Sequence, residues 1–398
     1  MKVLHVNDYY DRVGGAEVIL FQTLQGLEES NVTNVVVHQH PNPAADPSRQ
    51  SYQIQNLGDP DSSRDSTIEQ TFRDILHKEN PDVIHLYYLG NPRIAEISVE
   101  TSPTVQSVFN HNFYCPGGQK YLPHLGRVCH KPFGVGCYAA AFLTHCNSIR
   151  PRTLAASHDR CSQTLGNRSL TFLPLSQYQA DRLCESGVEP NRVTLLPPFT
   201  NLPLQEPMPA ESPPMILFAG RVTPQKGLDT LLRSLVRVQT PFCFVVAGDG
   251  LELPNAKRLA DKLGLSYCTK FLGWTSAEST EELYRRASLV VVPSIWPEPF
   301  GMVGIEAMSH SKPVVAFRVG GIPEWLSHRE TGILIEPYDE NAMTQAIDEL
   351  LTKPDMALAM GRRGRERVEK EFTKQRYVTK LLAVYKDAIA ATQSKEHK

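Results

Sequence analysis

The chain has 398 residues, of which 41% are hydrophobic and 21% charged, and a formal net charge of −2. At ~150 residues per domain this length predicts about two to three domains with sizeable cores. The near-neutral balance excludes a nucleic-acid binder with an extended basic footprint, and no apolar run approaches the ~18–20 residues that span a bilayer.

Lys2–Asn7 predicts a first strand. It is too short and too polar at its end for a secretory leader, so the expectation is a cytoplasmic protein. A loop with Asp8, Tyr9, Tyr10, Arg12, Gly14 and Gly15 follows. Ala16–Glu29 then places Val18, Leu20, Phe21, Leu24 and Leu27 on one helical face. Val32–His38 predicts a strand, Thr67–Glu79 an amphipathic helix and 81–86 another strand. Thr104–Asn110 is a strand ending at His111, and Ser169–Leu175 and Arg192–Leu196 complete the first sheet. Strands alternating with helices imply a parallel sheet. Seven prolines between Pro197 and Pro214 mark a linker, because neither a packed helix nor a central strand accommodates them. The second half predicts strands at Met215–Ala219, Phe242–Ala247, Cys268–Leu272, Leu289–Val292 and Pro313–Ala316. A last helix in Phe372–Ala391 carries Tyr377, Leu381, Leu382, Val384, Tyr385, Ala388 and Ile389 as its apolar positions. The resulting division is 1–198, a linker at 199–214, and 215–375.

The most informative stretch is 297–307. Glu298 and Glu306 stand eight positions apart, on either side of a glycine-containing turn. The preceding run, Leu289–Val292, reads as a buried parallel strand, and Ile305–Ser309 reads as a helix start. One carboxylate thus sits beyond a strand's carboxyl end and the other inside the next helix. Backbone N–H groups of Phe300, Gly301, Met302, Val303 and Gly304 lie between them at a helix N-terminus, where a phosphate fits. Carboxylates accept hydrogen bonds from sugar hydroxyls, so this arrangement suits a nucleotide sugar. Arg221 directly follows a strand, and Lys226, five residues on, precedes Gly227 and a helical stretch. Both can reach one diphosphate and neutralise the charge that builds on it as it departs.

This segment resembles the E-x7-E motif of retaining glycosyltransferases with the GT-B fold, glycosyltransferase family 4. Four further stations follow the family's order: Gly14-Gly15, the 219–227 stretch with Gly220, Arg221 and Lys226, the Gly248-Asp249-Gly250 turn, and Phe271-Leu272-Gly273-Trp274. The resemblance covers nearly the whole chain. It implies two Rossmann-like α/β domains facing an interdomain cleft, with a C-terminal helix at 376–398 packing back on the N-terminal domain. Gly14 and Gly15 would touch the pyrophosphate or the sugar, and Gly248 would belong to the donor side. Lys270, Phe271 and Leu272 would border the base, with uridine expected. Glu306 would hold the ribose hydroxyls and Glu298 the transferred sugar. His111, here followed by Asn112, would meet the donor sugar's primary hydroxyl at the reaction centre. Asn7, Tyr9, Tyr10 and Arg12 could shape the acceptor side. No divalent metal is expected. The implied reaction moves a hexose from a UDP-sugar to a glycan or lipid-linked acceptor in envelope polysaccharide synthesis, and a lipid-linked acceptor would bring the protein to the inner membrane face.

Two other readings fit the same fold. One is an epimerase that converts a nucleotide sugar without an acceptor, and the other is a non-catalytic glycan-binding scaffold. Intact Arg221, Lys226, Glu298 and Glu306 argue against the scaffold. Asp59-Pro60-Asp61 matches a metal-binding Asp-x-Asp formally, but its Ser- and Pro-rich surroundings predict a turn. Four of the eight cysteines, Cys115, Cys129, Cys137 and Cys146, fall in one loop-rich stretch. Zinc suits such a group in an intracellular chain. The 13, 7 and 8 intervening residues lack the short Cys-x2–4-Cys pair of common zinc sites. Zinc, free thiols and a disulfide are all compatible with this pattern.

Overall fold

The computed structural model describes residues 1–11, 14–41, 49–59, 65–122, 125–146, 150–201 and 212–396. The chain forms two compact units, Met1–Pro198 with Lys374–Lys398, and Phe199–Thr373. Among the described residues no helix is long and apolar enough to cross a membrane. Arg12, Pro60, Asp61 and linker residues 202–211 lie outside the described residues.

In the first unit the strands are β1 (Lys2–Tyr9), β2 (Thr33–His40), β3 (Ser51–Gln53), β4 (Val83–Leu86), β5 (Thr104–Val108), a hairpin of β6 (Tyr121–Leu122) and β7 (Arg127–Val128), and β8 (Leu170–Pro174). Six of them make one sheet in the order β3-β2-β1-β4-β5-β8, parallel throughout. Val6 pairs with Val37 on one side and Leu86 on the other, and all three are fully buried. Such apolar runs form because helices cover both faces of a parallel sheet. Strand order reverses beside β1, and an open sheet binds its ligands at such a reversal, beyond the strands' carboxyl ends.

Arg192–Leu196 is not the expected strand. Pro190–Arg192 is a 3-10 turn, and Val193 makes one isolated parallel bridge to Phe172. The chain stays beside β8 through Thr194 and Leu196 N–H donors to the Phe172 and Pro174 carbonyls. Prolines at 190, 197 and 198 leave too few donors for a full ladder. Helices Gly136–Thr144 and Pro151–Gly166 were not expected in the cysteine-bearing region and its surroundings.

The last helix, Lys374–Glu396, belongs to the first unit, where it packs on helix Gly15–Glu28 and on β4 and β5. Tyr377, Leu381, Val384 and Tyr385 are buried. Gly26 permits the close approach, since a Cβ there would lie 2.5 Å from Val378 Cγ2. Below this contact lies a polar network. His85 Nδ1 is 2.6 Å from Tyr385 Oη and its Nε2 is 2.8 Å from Ser107 Oγ, while His5 meets Tyr87 Oη and Asn34 Oδ1.

The second unit holds β9 (Met215–Ala219), β10 (Cys243–Ala247), β11 (Thr269–Gly273), β12 (Leu289–Val292), β13 (Val314–Phe317) and β14 (Gly332–Ile335). The order β11-β10-β9-β12-β13-β14 is again all parallel, with its reversal between β9 and β12. β14 was not expected, because a four-residue strand that begins on glycine carries little pattern.

Candidate active site

Three loops of the second unit, after β9, β12 and β13, converge on Glu298. The first depends on glycines. A Cβ on Gly248 would lie 1.8 Å from the Gly220 carbonyl, and one on Gly250 would lie 2.3 Å from the Val222 carbonyl. The chain ends of β9 and β10 therefore touch, joined by the Val222 N–H donating to the Asp249 carbonyl at 2.8 Å. This contact sets out Arg221, whose side chain is exposed; among the described residues no ion pair includes it. Pro224–Lys226 then forms a 3-10 turn, and Gly227 has φ +67° with its missing Cβ 2.0 Å from the Pro293 carbonyl. Ile295 N–H donates to the Gln225 carbonyl at 2.9 Å, so the turn lies against the loop after β12.

There Lys226 Nζ meets Glu298 Oε1 at 2.6 Å. Ser294 Oγ donates to the same oxygen at 2.5 Å. The Trp296 ring lies 5.9 Å from the Lys226 ammonium, within cation–π reach. From the other side Gly321 N–H donates to the Glu298 carbonyl at 2.8 Å, and Gly320 passes so close that a Cβ would lie 2.2 Å from that carbonyl oxygen. Glu298 is 4% exposed. Burial pushes its carboxyl up, but the Lys226 charge and the hydrogen bonds from Lys226 and Ser294 outweigh this and hold it below the usual carboxylate range. An ionised carboxylate and an ammonium thus stand ready beyond the carboxyl end of β12.

Helix Met302–Ser309 starts at Gly301, which has φ +98°. The N–H groups of Met302 and Val303 fall in its first turn, which has no intrahelical acceptors. Phe300 is 2% exposed and packs on Phe372, so its side chain belongs to the core rather than to a ligand surface; its carbonyl accepts from Trp325 Nε1 at 2.6 Å. Gly304 makes room for the Trp325 ring, 1.9 Å from where a Cβ would be. Glu306, one turn into the helix, accepts from Tyr284 Oη at 2.9 Å. Burial raises its carboxyl, partly offset by that bond. On the edge strand β11, Lys270 and Leu272 are exposed, and Phe271 is half-buried beneath the Lys257 ammonium.

In the first unit the polar residues divide. Asn7 is 1% exposed, and its amide joins the Tyr9 carbonyl and the Tyr88 N–H, so it braces two loops instead of facing a ligand. Tyr10 is also core, stacked on Phe21 and His38, with its hydroxyl accepting from Arg49. Tyr9 is exposed and stacks on His40. Gly14 caps helix Gly15–Glu28, and both glycines are exposed. His111 follows β5 and is fully buried, its Nδ1 2.6 Å from Tyr114 Oη. Asp8 also lies at the end of β1, 9% exposed, and its Oδ1 has no hydrogen-bond partner among the described residues. Burial and the nearby Glu17 charge push its carboxyl up to about 7, against a bond from the Gly90 backbone.

The four cysteines of the loop-rich stretch line one small cavity, and none of them is joined in a disulfide. Burial pushes the Cys137 and Cys146 thiols up, and the neighbouring thiols add to the effect.

Sequence reasoning missed Ser294 and Tyr284 as partners of the two glutamates. A hydroxyl two residues beyond a buried strand, and a tyrosine on a helix's apolar face, are the signals that could have found them, since a buried tyrosine hydroxyl seeks a partner.

Two parallel α/β units with their loops at a strand-order reversal define a GT-B fold. Known proteins agree. The family described as "Glycosyltransferase Family 4" matches residues 13–203, and "Glycosyl transferases group 1" matches 204–367. The chain belongs to the group 1, family 4 glycosyltransferases. An uncharacterized glycosyltransferase of Methanocaldococcus jannaschii is 36% identical over 140 residues, 35% of this chain and 36% of that protein. A D-inositol 3-phosphate glycosyltransferase of Saccharomonospora viridis is 34% identical over 189 residues, 44% of this chain and 43% of that protein. The chain thus spans less than half the length of the curated relatives it matches. Sucrose-phosphate synthase from Thermosynechococcus elongatus shares the fold, with TM-score 0.76, 21% identity and coverage of 98% and 99% of the two chains. So does Anabaena HepE, solved with UDP, with TM-score 0.72, 17% identity and coverage of 97% and 100%.

Proposed function

We propose that the protein is a retaining glycosyltransferase that moves a hexose-type sugar from a nucleotide-diphosphate sugar, UDP-glucose or similar, to a glycan or lipid-linked acceptor in surface polysaccharide synthesis. The observation that carries this reading is the Lys226–Glu298 contact at the carboxyl end of β12. Its chemistry matches the demands of the reaction. As the C1–O bond to the diphosphate breaks, negative charge grows on the leaving oxygens. Arg221, Lys226 and the first-turn N–H groups at Met302 and Val303 oppose that charge. Glu298, kept ionised, accepts hydrogen bonds from the sugar hydroxyls, and Glu306 accepts from the ribose. The acceptor oxygen bonds C1 on the face the diphosphate leaves, and its proton passes to a leaving phosphate oxygen. No divalent metal is required by this scheme.

HepE has been solved with UDP and with UDP-glucose, which supports a uridine donor here. In this scheme exposed Tyr9 contacts the acceptor, while His111, fully buried and bonded to Tyr114, braces the turn after β5 instead of meeting the donor sugar. A lipid-linked acceptor would place the protein at the cytoplasmic membrane face.

The test is incubation with α-linked UDP-sugars and oligosaccharide acceptors, with the product's anomeric configuration read by NMR. An α-linked product is expected. A β-linked product would overturn retention, and conversion of the donor without acceptor would favour an epimerase.

A further inference from the structure

Between Glu100 and Asp159 the sequence contains no Asp or Glu, yet it holds Lys120, Arg127, Lys131, Arg150 and Arg152. In the middle of this basic stretch Cys115, Cys129, Cys137 and Cys146 line one cavity of about 20 Å³, together with Lys120 and Lys131. The cysteines come from four separate places: the turn after His111, the residue following β7, the start of helix Gly136–Thr144, and just beyond its end.

We propose that these four thiols form a structural zinc site. Four observations support it. The cavity has room for about one ion, since ~10–15 Å³ holds a single water. The Lys120 backbone N–H points at Cys115 Sγ, 3.4 Å away, and such outer-shell bonds orient metal-bound ligands. Lys120 itself is 3% exposed, its ammonium donating to the Lys131 carbonyl and lying 6.0 Å from the Tyr114 ring centroid. A buried ammonium needs a counter-charge, and no carboxylate occurs in this stretch. Four cysteinates around a divalent ion carry two net negative charges, which Lys120 and Lys131 would balance. Finally, between Cys115 and Cys146 the described residues form a two-residue hairpin and one short helix, too little for a core of their own, and small elements of that kind are commonly held by a metal.

Among the described residues no three His, Cys, Asp or Glu side chains are gathered closely enough to hold an ion as they stand. Uptake would draw the sulfurs in to the ~2.3 Å of a Zn–S bond, with the metal ordering the segment as it binds. An all-sulfur tetrahedral set selects zinc over harder cations. The site has a structural link to His111: Tyr114 lines the cavity, and its hydroxyl is bonded to the His111 ring.

Metal analysis of the full-length protein, purified without chelator, tests this. About one zinc per chain is expected. The double variant Cys129→Ser, Cys146→Ser should lose it, and Cys243→Ser, Cys268→Ser in the second unit should keep it. If the first variant fails to fold, cobalt exchanged into the wild-type protein decides, through the sulfur-to-cobalt charge-transfer absorption of a tetrahedral thiolate site. Wild-type protein without zinc would overturn the site, whether its four sulfurs titrate as free thiols, pair as disulfides or hold iron. So would a zinc content that the cysteine changes leave intact, or cobalt without that absorption.

Discussion

The Lys226 ammonium lies 2.6 Å from the Glu298 carboxylate, across 72 residues of sequence. The pair joins the loop after β9 to the loop after β12, so each residue fixes the other before any ligand arrives. Lys226→Ala would leave a buried carboxylate unpaired. Breaking a fully buried pair costs about 3–5 kcal/mol. The lysine is 24% exposed, and solvent screening reduces that to about 2 kcal/mol. A fall in the unfolding free energy by that amount, read from urea denaturation, with loss of UDP binding, is expected. The Glu298 carboxyl is depressed, so its contribution is present above pH 4.5 and lost as pH falls through the folded value. Glu298→Gln should lack that acid-side loss.

The glycines of the site predict a graded series. Gly248→Ala and Gly227→Ala combine positive φ with backbone oxygens at 1.8 and 2.0 Å, while Gly264→Ala has φ +71° and nothing within 4 Å. The last should cost about 1 kcal/mol, the price of a left-handed conformation alone. The first two should exceed about 2 kcal/mol, because the carbonyls must move. Equal chemical-denaturation midpoints for all three would show that the close approaches do not constrain the loops.

Asp8 makes a prediction of opposite sign to Glu298. Its carboxyl is raised to about 7, so the folded state binds a proton the unfolded chain releases near pH 4. Its contribution is full below about pH 4 and lost as pH rises through 7, with an upper bound of about 4 kcal/mol. Asp8→Asn should flatten the stability profile between pH 5 and 8. A variant profile that still falls like the wild type's over this range would assign the effect elsewhere.

The buried histidines act on the acid side. Burial lowers His5 to about 4 and His85 well below its usual value, so both are neutral in the folded unit. Their contribution is full above about pH 6.5 and lost as pH falls toward 4. Tyr385→Phe removes the hydroxyl from His85 Nδ1 and should cost about 1–2 kcal/mol. Thermal melts that do not change between pH 4.5 and 7 would contradict this account of how the last helix is held.

Much of the second unit was legible because its constraints are local. Glycines at 227, 248 and 301 sit where positive φ or a backbone contact demands them, and the E-x7-E spacing follows from one strand, one turn and one helix. The direct Lys226–Glu298 contact was not legible, since nothing in either motif fixes the register between two loops 72 residues apart. Side-chain direction was the weak point elsewhere. Asn7, Tyr10 and Phe300 stand in loops or at strand ends, where no periodicity shows which way they face, and all three turn inward. Arg192–Leu196 had strand-like residues, but flanking prolines limited its ladder. The cysteine stretch carries no short Cys pair, so its convergence on one cavity emerges only once the hairpin and helix are folded.

The central claim is that the second unit binds a nucleoside diphosphate through Arg221, Lys226 and Glu306. Calorimetric titration with UDP, GDP and ADP, without added divalent metal, tests it most directly. The account predicts selective UDP binding by the wild-type protein, about 100-fold weaker in Arg221→Ala and about 10-fold weaker in Glu306→Gln, as loss of charged and neutral contacts worth about 2.7 and 1.4 kcal/mol would give. No binding of any of the three nucleotides, or UDP affinity unchanged in both variants, would contradict it.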